Sequence, residues 1–188
     1  MKKKLVIVAV IALLAVAALA TVAYFSAQDT ATNVITTGNV TMKLHEYQVV
    51  DGETKPYPAE DAVAAMPGTV ISKIPTIENT GDNDFYTRAK VSVAFYADKD
   101  RKELVNLDTK YVTYDITKEW IDGGDGWYYY NGIVKPDEEV VLFNTVTFDK
   151  KMPNEYQNKY VKVDISTQAV QVKNNENSDV TKVVGWPE

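Results

Sequence analysis

The chain has 188 residues, with 20 Lys and Arg against 26 Asp and Glu and a net charge of −6. Nucleic acid and anionic lipid are poor partners for a surface of that sign. With no cysteine and a single histidine, disulfides, thiolate metal sites and the two-histidine HExxH zinc motif are all excluded.

The chain opens on Lys2-Lys3-Lys4, an apolar run from Leu5 to Ala20, and Thr21-Val22-Ala23 ahead of Tyr24-Phe25-Ser26. A basic head, an apolar helical middle and small residues at the first and third positions of a tripeptide make a secretory signal, with cleavage expected between Ala23 and Tyr24. A retained anchor is the competing reading. The uncharged stretch continues to Gln28, and at 1.5 Å per residue such a helix reaches about 36 Å, against about 30 Å of bilayer core. The many alanines lower its hydrophobicity, and Thr21-Val22-Ala23 suits a signal peptidase, so cleavage is favoured. In both cases the remainder faces the outside of the cell, as a secreted or surface protein. The leader carries three lysines and no acid, so its loss makes the product still more acidic.

Three parts follow: a signal peptide over 1–23, an extended N-terminal segment over 24–39, and a single domain over 40–188. The segment holds Thr30, Thr32, Val34, Ile35, Thr36 and Thr37, all β-branched, without a strong apolar face of its own. It has strand propensity without strong self-burial. From Val40 onward the apolar period is two. Val40, Met42 and Leu44 alternate with Thr41, Lys43 and His45. Glu60 to Met66 reads as a short helix. Val70 to Glu78 reads as a strand in which Pro75, having no N–H, argues for a sheet edge or a bulge. Phe85 to Tyr96 is the clearest strand, with Phe85, Thr87, Ala89, Val91, Val93 and Phe95 on one face. Val140 to Phe148, apolar almost throughout, is expected at the centre of a sheet. Val161, Val163 and Ile165 alternate with Lys162, Asp164 and Ser166, and the polar run from Lys173 to Asp179 reads as a loop or frayed end. Pro67-Gly68, Asn79-Thr80-Gly81, Asp122 to Gly126 and Asn131-Gly132 are expected to supply the positive φ angles and fixed φ that reversals need. Strands at short spacing with almost no helix predict an all-β fold, an antiparallel two-sheet β-sandwich.

No catalytic constellation and no cofactor motif appears, which points away from an enzyme. His45 sits at a strand end and is expected to face solvent. Asp82 with Asp84, Asp98 with Asp100, and Asp122 with Asp125 resemble oxygen-ligand pairs for calcium, but none has the EF-hand spacing, and turn-forming Asp is the ordinary explanation. Trp127-Tyr128-Tyr129-Tyr130 invites a sugar-stacking reading. In a strand, however, Trp127 and Tyr129 point one way and Tyr128 and Tyr130 the other, so one pair in the core and one on a subunit contact fits better. Trp120, across the Asp122 to Gly126 turn from Trp127, is expected to pack against it.

Three segments together resemble the TasA/camelysin family of secreted biofilm-matrix proteins. They are Thr21 to Ser26 followed by a Thr-rich stretch to Gly38-Asn39-Val40; Met66-Pro67-Gly68 leading to Glu78-Asn79-Thr80-Gly81 and the strand to Tyr96; and Glu155-Tyr156-Gln157-Asn158 running into Val161 to Gln171. Lys99 to Gly132 matches nothing specific in that family. The resemblance implies a jelly-roll-like sandwich, export through a signal peptidase of SipW type, and head-to-tail homopolymers in the extracellular matrix, with other matrix proteins or polysaccharide as further partners. It also implies donor-strand complementation, in which the N-terminal segment of one subunit fills a strand position in its neighbour, with Tyr24, Phe25, Val34, Ile35 and Val40 as the donor residues. A metalloprotease activity, attributed to camelysin, lacks its histidines here. The alternative function is a monomeric carbohydrate-binding or adhesive surface module.

Overall fold

The computed structural model describes residues 32–34, 40–58, 63–64 and 66–187, and within them the fold is all-β. The signal segment, its cleavage residues Ala23 and Tyr24, and the donor candidates Phe25 and Ile35 lie outside the described residues. In chain order the strands are β1 (Thr32–Val34), β2 (Met42–Val50), β3 (Glu53–Pro56), β4 (Val63–Ala64), β5 (Val70–Ser72), β6 (Ile74–Asn79) and β7 (Phe85–Tyr96). They continue with β8 (Leu104–Val105), β9 (Val112–Ile116), β10 (Trp120–Asp122), β11 (Tyr128–Tyr130), β12 (Glu139–Val141), β13 (Phe143–Phe148) and β14 (Tyr160–Gln171). Helical structure among the described residues is confined to short 3-10 turns.

The largest sheet runs β1-β14-β7-β11-β10, with β4 added to β14 and β8 to β7. Its centre is the β7–β14 pair, which stays in antiparallel register from Phe85↔Gln171 to Tyr96↔Tyr160. The other two sheets, β12-β6-β2-β3 and β5-β13-β9, share two interrupted strands. Lys73 separates β5 from β6, and Leu142 separates β12 from β13. The backbone is still satisfied across the break, because the Lys73 amide donates to the Asn144 carbonyl and the Leu142 amide to that of Pro75. Pro75 therefore lies in β6, between β2 and β12, and the edge-strand reading fails; the interruption stands two residues before it. The side chain of Lys73 is buried there, and Glu46 at 2.6 Å and the face of Tyr57 at 4.2 Å offset the loss of hydration.

Period-two alternation places the core between these layers. Val40, Met42, Leu44, Ile77, Val140, Phe143, Val146 and Phe148 meet Phe85, Ala89, Phe95, Val161, Val163, Ile165 and Ala169. Val140 to Phe148 divides: β13 is the middle strand of its sheet, as expected, whereas β12 is an edge. Tyr156, fully buried, stands edge-on to both Phe95 and Tyr111, and its hydroxyl donates to the Asp108 carbonyl at 2.7 Å.

Two expectations need correction. Within Glu60 to Met66, Val63 and Ala64 form a strand antiparallel to Val161 and Tyr160, so an available sheet edge overrides a seven-residue helix too short to hold itself. Lys173 to Asp179 is a loop, as expected; beyond it Val180, Val183 and Trp186 fold back onto Tyr86, Tyr129 and Val170, making a second apolar cluster on the outward face of the large sheet. A turn at its start is capped by Asp179, whose carboxylate accepts from the Thr181 amide and pairs with Lys182. Finally, neither Gly81 nor Gly132 has a positive φ; a Cβ at Gly81 would stand 2.9 Å from the Thr41 amide nitrogen, so the close approach of two backbone segments demands glycine there. Gly68, Gly124 and Gly126 do have positive φ.

Candidate assembly edge

Strand β14 has two flanks of different character. On one, twelve residues pair with β7. On the other, β4 covers Tyr160 and Val161, and β1 runs parallel to β14 with Thr32↔Ser166, Asn33↔Thr167 and Val34↔Gln168 in register. Among the described residues no strand pairs with Lys162 to Ile165 on that flank. The β1 contact is the one parallel pairing among the described strands, and it departs from the all-antiparallel expectation. No hairpin links β1 to β14, since most of the chain lies between them, so no tight turn dictates their relative direction.

This edge is where Thr32–Val34 meets the large sheet. Of the donor candidates, Val34 ends β1, and Val40 is buried in the domain's own core next to Met42. Beneath the contact, Thr167 points inward with Ile165 and Ala169 and is fully buried; its hydroxyl has no hydrogen-bond partner among the described residues. Such an orphaned group costs about 1–3 kcal/mol. Its neighbour on the inner face, Thr87, is satisfied by the Gln168 carbonyl at 2.9 Å.

On the outer face, Gln168 is fixed by Arg88. The Arg88 Nε donates to Gln168 Oε1 at 2.8 Å, and another guanidinium nitrogen donates to the Tyr129 hydroxyl at 3.1 Å. The guanidinium lies 4.4 Å from the Trp127 ring centre and 4.7 Å from that of Trp186, a cation–π stack on both sides. Tyr129 in turn donates to Asp125 at 2.7 Å. Burial works to raise the Asp125 carboxyl, but the Tyr129 hydroxyl and the Trp127 amide hold it below its ordinary value. Burial and then the Asp125 hydrogen bond push the Tyr129 phenol up. A connected line from Asp125 through Tyr129 and Arg88 thus reaches the last β14 residue that β1 touches.

The aromatic run divides as its alternation predicts. Tyr128 and Tyr130 pack against the main core, and Trp127 and Tyr129 join the outer cluster. Trp120, however, does not meet Trp127. It pairs in register with Tyr130 at 5.5 Å, and its indole N–H donates to the Val141 carbonyl at 2.8 Å. The reason is parity: the turn places Trp127 one residue before β11, on the opposite face. Tyr114, stacked on Phe143 and edge-on to Tyr128, has its phenol pushed up to about 12 by burial and then by Tyr128.

The remaining candidates have local explanations. Asp98 accepts from the Lys102 and Glu103 amides, and Asp122 and Asp125 from those of Gly124 and Trp127, as turn-forming Asp does. Asp82 and Asp84 line a polar cleft with Gln171, Lys173 and Glu176. His45 is half-buried rather than solvent-facing: its Nε2 lies 2.6 Å from Glu78 Oε2, and its ring stacks on Tyr47. Arg88, Gln168 and Trp186 were missed from sequence. Arg88 follows Tyr86 on the outward face of β7, and that large aromatic beside a cation was the available signal.

No protein-family model matches the chain, and no curated protein matches it.

Proposed function

We propose that this chain is a secreted, non-enzymatic structural subunit of extracellular biofilm matrix or cell-surface fibres, with a jelly-roll-like sandwich like that of the TasA/camelysin proteins it resembles in sequence. Subunits join head to tail, each N-terminal segment occupying a strand position on the next copy. The observation that carries this reading is the short parallel seat of Thr32–Val34 on β14. A strand held by three residue pairs is exchangeable, because the same backbone groups are offered by every copy of the chain. In the closed form a subunit fills its own seat; in the polymer its neighbour fills it. Exchange of an identical element between copies costs little in new chemistry, and a contact that does not close on itself propagates into a filament.

Length permits it. Sixteen extended residues from Tyr24 to Asn39 reach roughly 50 Å at 3.3–3.6 Å each, enough to leave one domain and lie along another. Cleavage after Ala23 by a SipW-type peptidase frees that segment; an uncleaved leader tethers it. The rings of Trp127 and Tyr129, the best candidate for a glycan platform, are stacked against Arg88 and Trp186, which argues against the adhesive alternative.

The test is deletion of residues 24–37 from the exported protein. The truncated domain is expected to remain folded by circular dichroism and to stay monomeric, while the intact product forms filaments visible by electron microscopy. Filaments formed equally well without the segment would refute the proposal.

A further inference from the structure

We infer that His45, Glu78 and Glu139 form a binding site for one divalent transition-metal ion of the zinc class. The three side chains sit on adjacent strands, β2, β6 and β12, and their parity puts them on one surface. Leu44, Ile77 and Val140 are all in the core, so the residue next to each points outward. Glu139 is directly opposite Glu78 in the β6–β12 register; across β6, Lys43 is opposite Glu78, and His45 lies two residues further along β2.

One ligand atom from each of the three residues falls within 4.8 Å of the other two. Tetrahedral ligands at zinc distances of about 2.0–2.2 Å stand roughly 3.4 Å apart, so small side-chain rotations on a fixed backbone close the set. The donor chemistry fits as well: one imidazole nitrogen and two carboxylates give a ligand charge that a divalent ion neutralises. The hydrogen bond between His45 Nε2 and Glu78 Oε2 would give way to the metal, with the Glu78 carboxylate turning toward it. Stacking on Tyr47 at 5.7 Å, with the rings nearly parallel, keeps the imidazole plane in place.

The arrangement is otherwise unfavourable. Two glutamates directly opposite on neighbouring strands repel each other. Lys43 is exposed and pairs with neither glutamate in a salt bridge among the described residues. An ion bridging β2, β6 and β12 removes that repulsion and ties an edge strand to the middle of its sheet. His45 and Glu78 are half-buried, with side chains 21% and 28% exposed, while exposed Glu139 on the edge strand leaves a path for the ion to enter. Fewer than four protein ligands leave room for water on the metal. Calcium, which takes six to eight oxygens, is poorly served by this set.

The site is independent of strand donation, so its test does not depend on polymerisation. The exported chain, stripped with chelator, is titrated with zinc chloride by calorimetry, and its thermal midpoint is followed with and without zinc. One ion per chain and a zinc-dependent rise in the midpoint are expected. His45→Gln and Glu139→Gln should each weaken zinc at least about tenfold. Without metal, Glu139→Gln should melt no lower than the parent, because it removes a like-charge contact; this separates loss of a ligand from loss of fold. Failure of the parent to bind zinc, retention of parental affinity by both variants, or saturation by calcium in preference to zinc would each overturn the assignment.

Discussion

Strand β14 is held on its two sides by neighbours that could hardly differ more. On one side β7 matches it residue for residue along its whole length, antiparallel, with the inner face of the pair in the main core and the outer face covered at the Tyr86–Val170 end. On the other, β1 touches three residues, runs parallel and comes from the opposite end of the chain. The first contact is specified many times over, since a slip of one residue would move Val161, Val163 and Ile165 out of the core. The second offers only three residue pairs of backbone register to fix it. Under the proposed strand donation the centre stays fixed while the strand beside it passes to a neighbour, which is the property a polymerising subunit needs.

The largest effect should come from damaging the specified side. Phe95, at 1% exposure and edge-on to Tyr156, fills the core beneath the β7–β14 pair. Phe95→Ala should cost about 3–5 kcal/mol in chemical denaturation, and the loss should be the same with or without residues 24–37. A much smaller loss would mean that the centre is less tightly packed than its burial indicates.

Next comes the outer face. Arg88→Ala removes the hydrogen bonds to Gln168 and Tyr129 and the stack on Trp127 and Trp186. A loss of about 1–2 kcal/mol is expected, with a red-shifted and more quenchable tryptophan emission as Trp186 is released. Unchanged fluorescence would show that the tail is held without Arg88.

Thr167→Val sharpens the comparison from the opposite direction. It replaces a hydroxyl that has no partner among the described residues by a methyl group of similar size and should stabilise the domain by about 1 kcal/mol in denaturant titration. Destabilisation would reveal a partner for that hydroxyl.

The smallest effect concerns acid. Lys182 and then the Thr181 hydroxyl hold the Asp179 carboxyl down at about 2, from an ordinary 3.8. A depressed carboxyl stabilises the folded tail fully above 3.8, and that contribution fades as pH falls toward about 2. Tail docking, followed by Trp186 fluorescence, should therefore loosen only on strong acidification. Asp179→Asn should remove that pH dependence.

Much of the fold could be read from alternation. Phe85 to Tyr96 and Val161 to Ile165 bury the faces their period predicts, and Trp127 to Tyr130 divides between two faces as expected. The failures have a common physical cause, which is long-range context. Val63 and Ala64 lie in a segment with helical composition but find a free edge on β14. Pro75 is tolerated inside a sheet because the Leu142 carbonyl opposite, which its missing N–H cannot serve, accepts from the Thr117 amide instead, while the Leu142 amide takes up the Pro75 carbonyl. The polar tail hides Val180, Val183 and Trp186 beyond it, and local polarity says nothing about the apolar patch they cover. His45 looked like a solvent residue because Glu78 and Glu139 lie far along the chain, and only strand register brings the three together. Of the candidate edge, the β-branched character of residues 30–37 was visible in advance, whereas its seat on β14 was not.

Site-directed crosslinking tests the exchange of β1 most directly. The chain has no cysteine, so Thr32→Cys and Ser166→Cys, which face each other in register, can be introduced into separate copies, mixed, assembled and oxidised. The strand-donation account predicts disulfide-linked dimers between the two singly substituted copies in the assembled material. It also predicts ladders of higher oligomers when both substitutions are in one chain. If the doubly substituted chain in filaments instead closes only on itself, and the mixed single variants never link, each subunit keeps its own segment and the account is wrong.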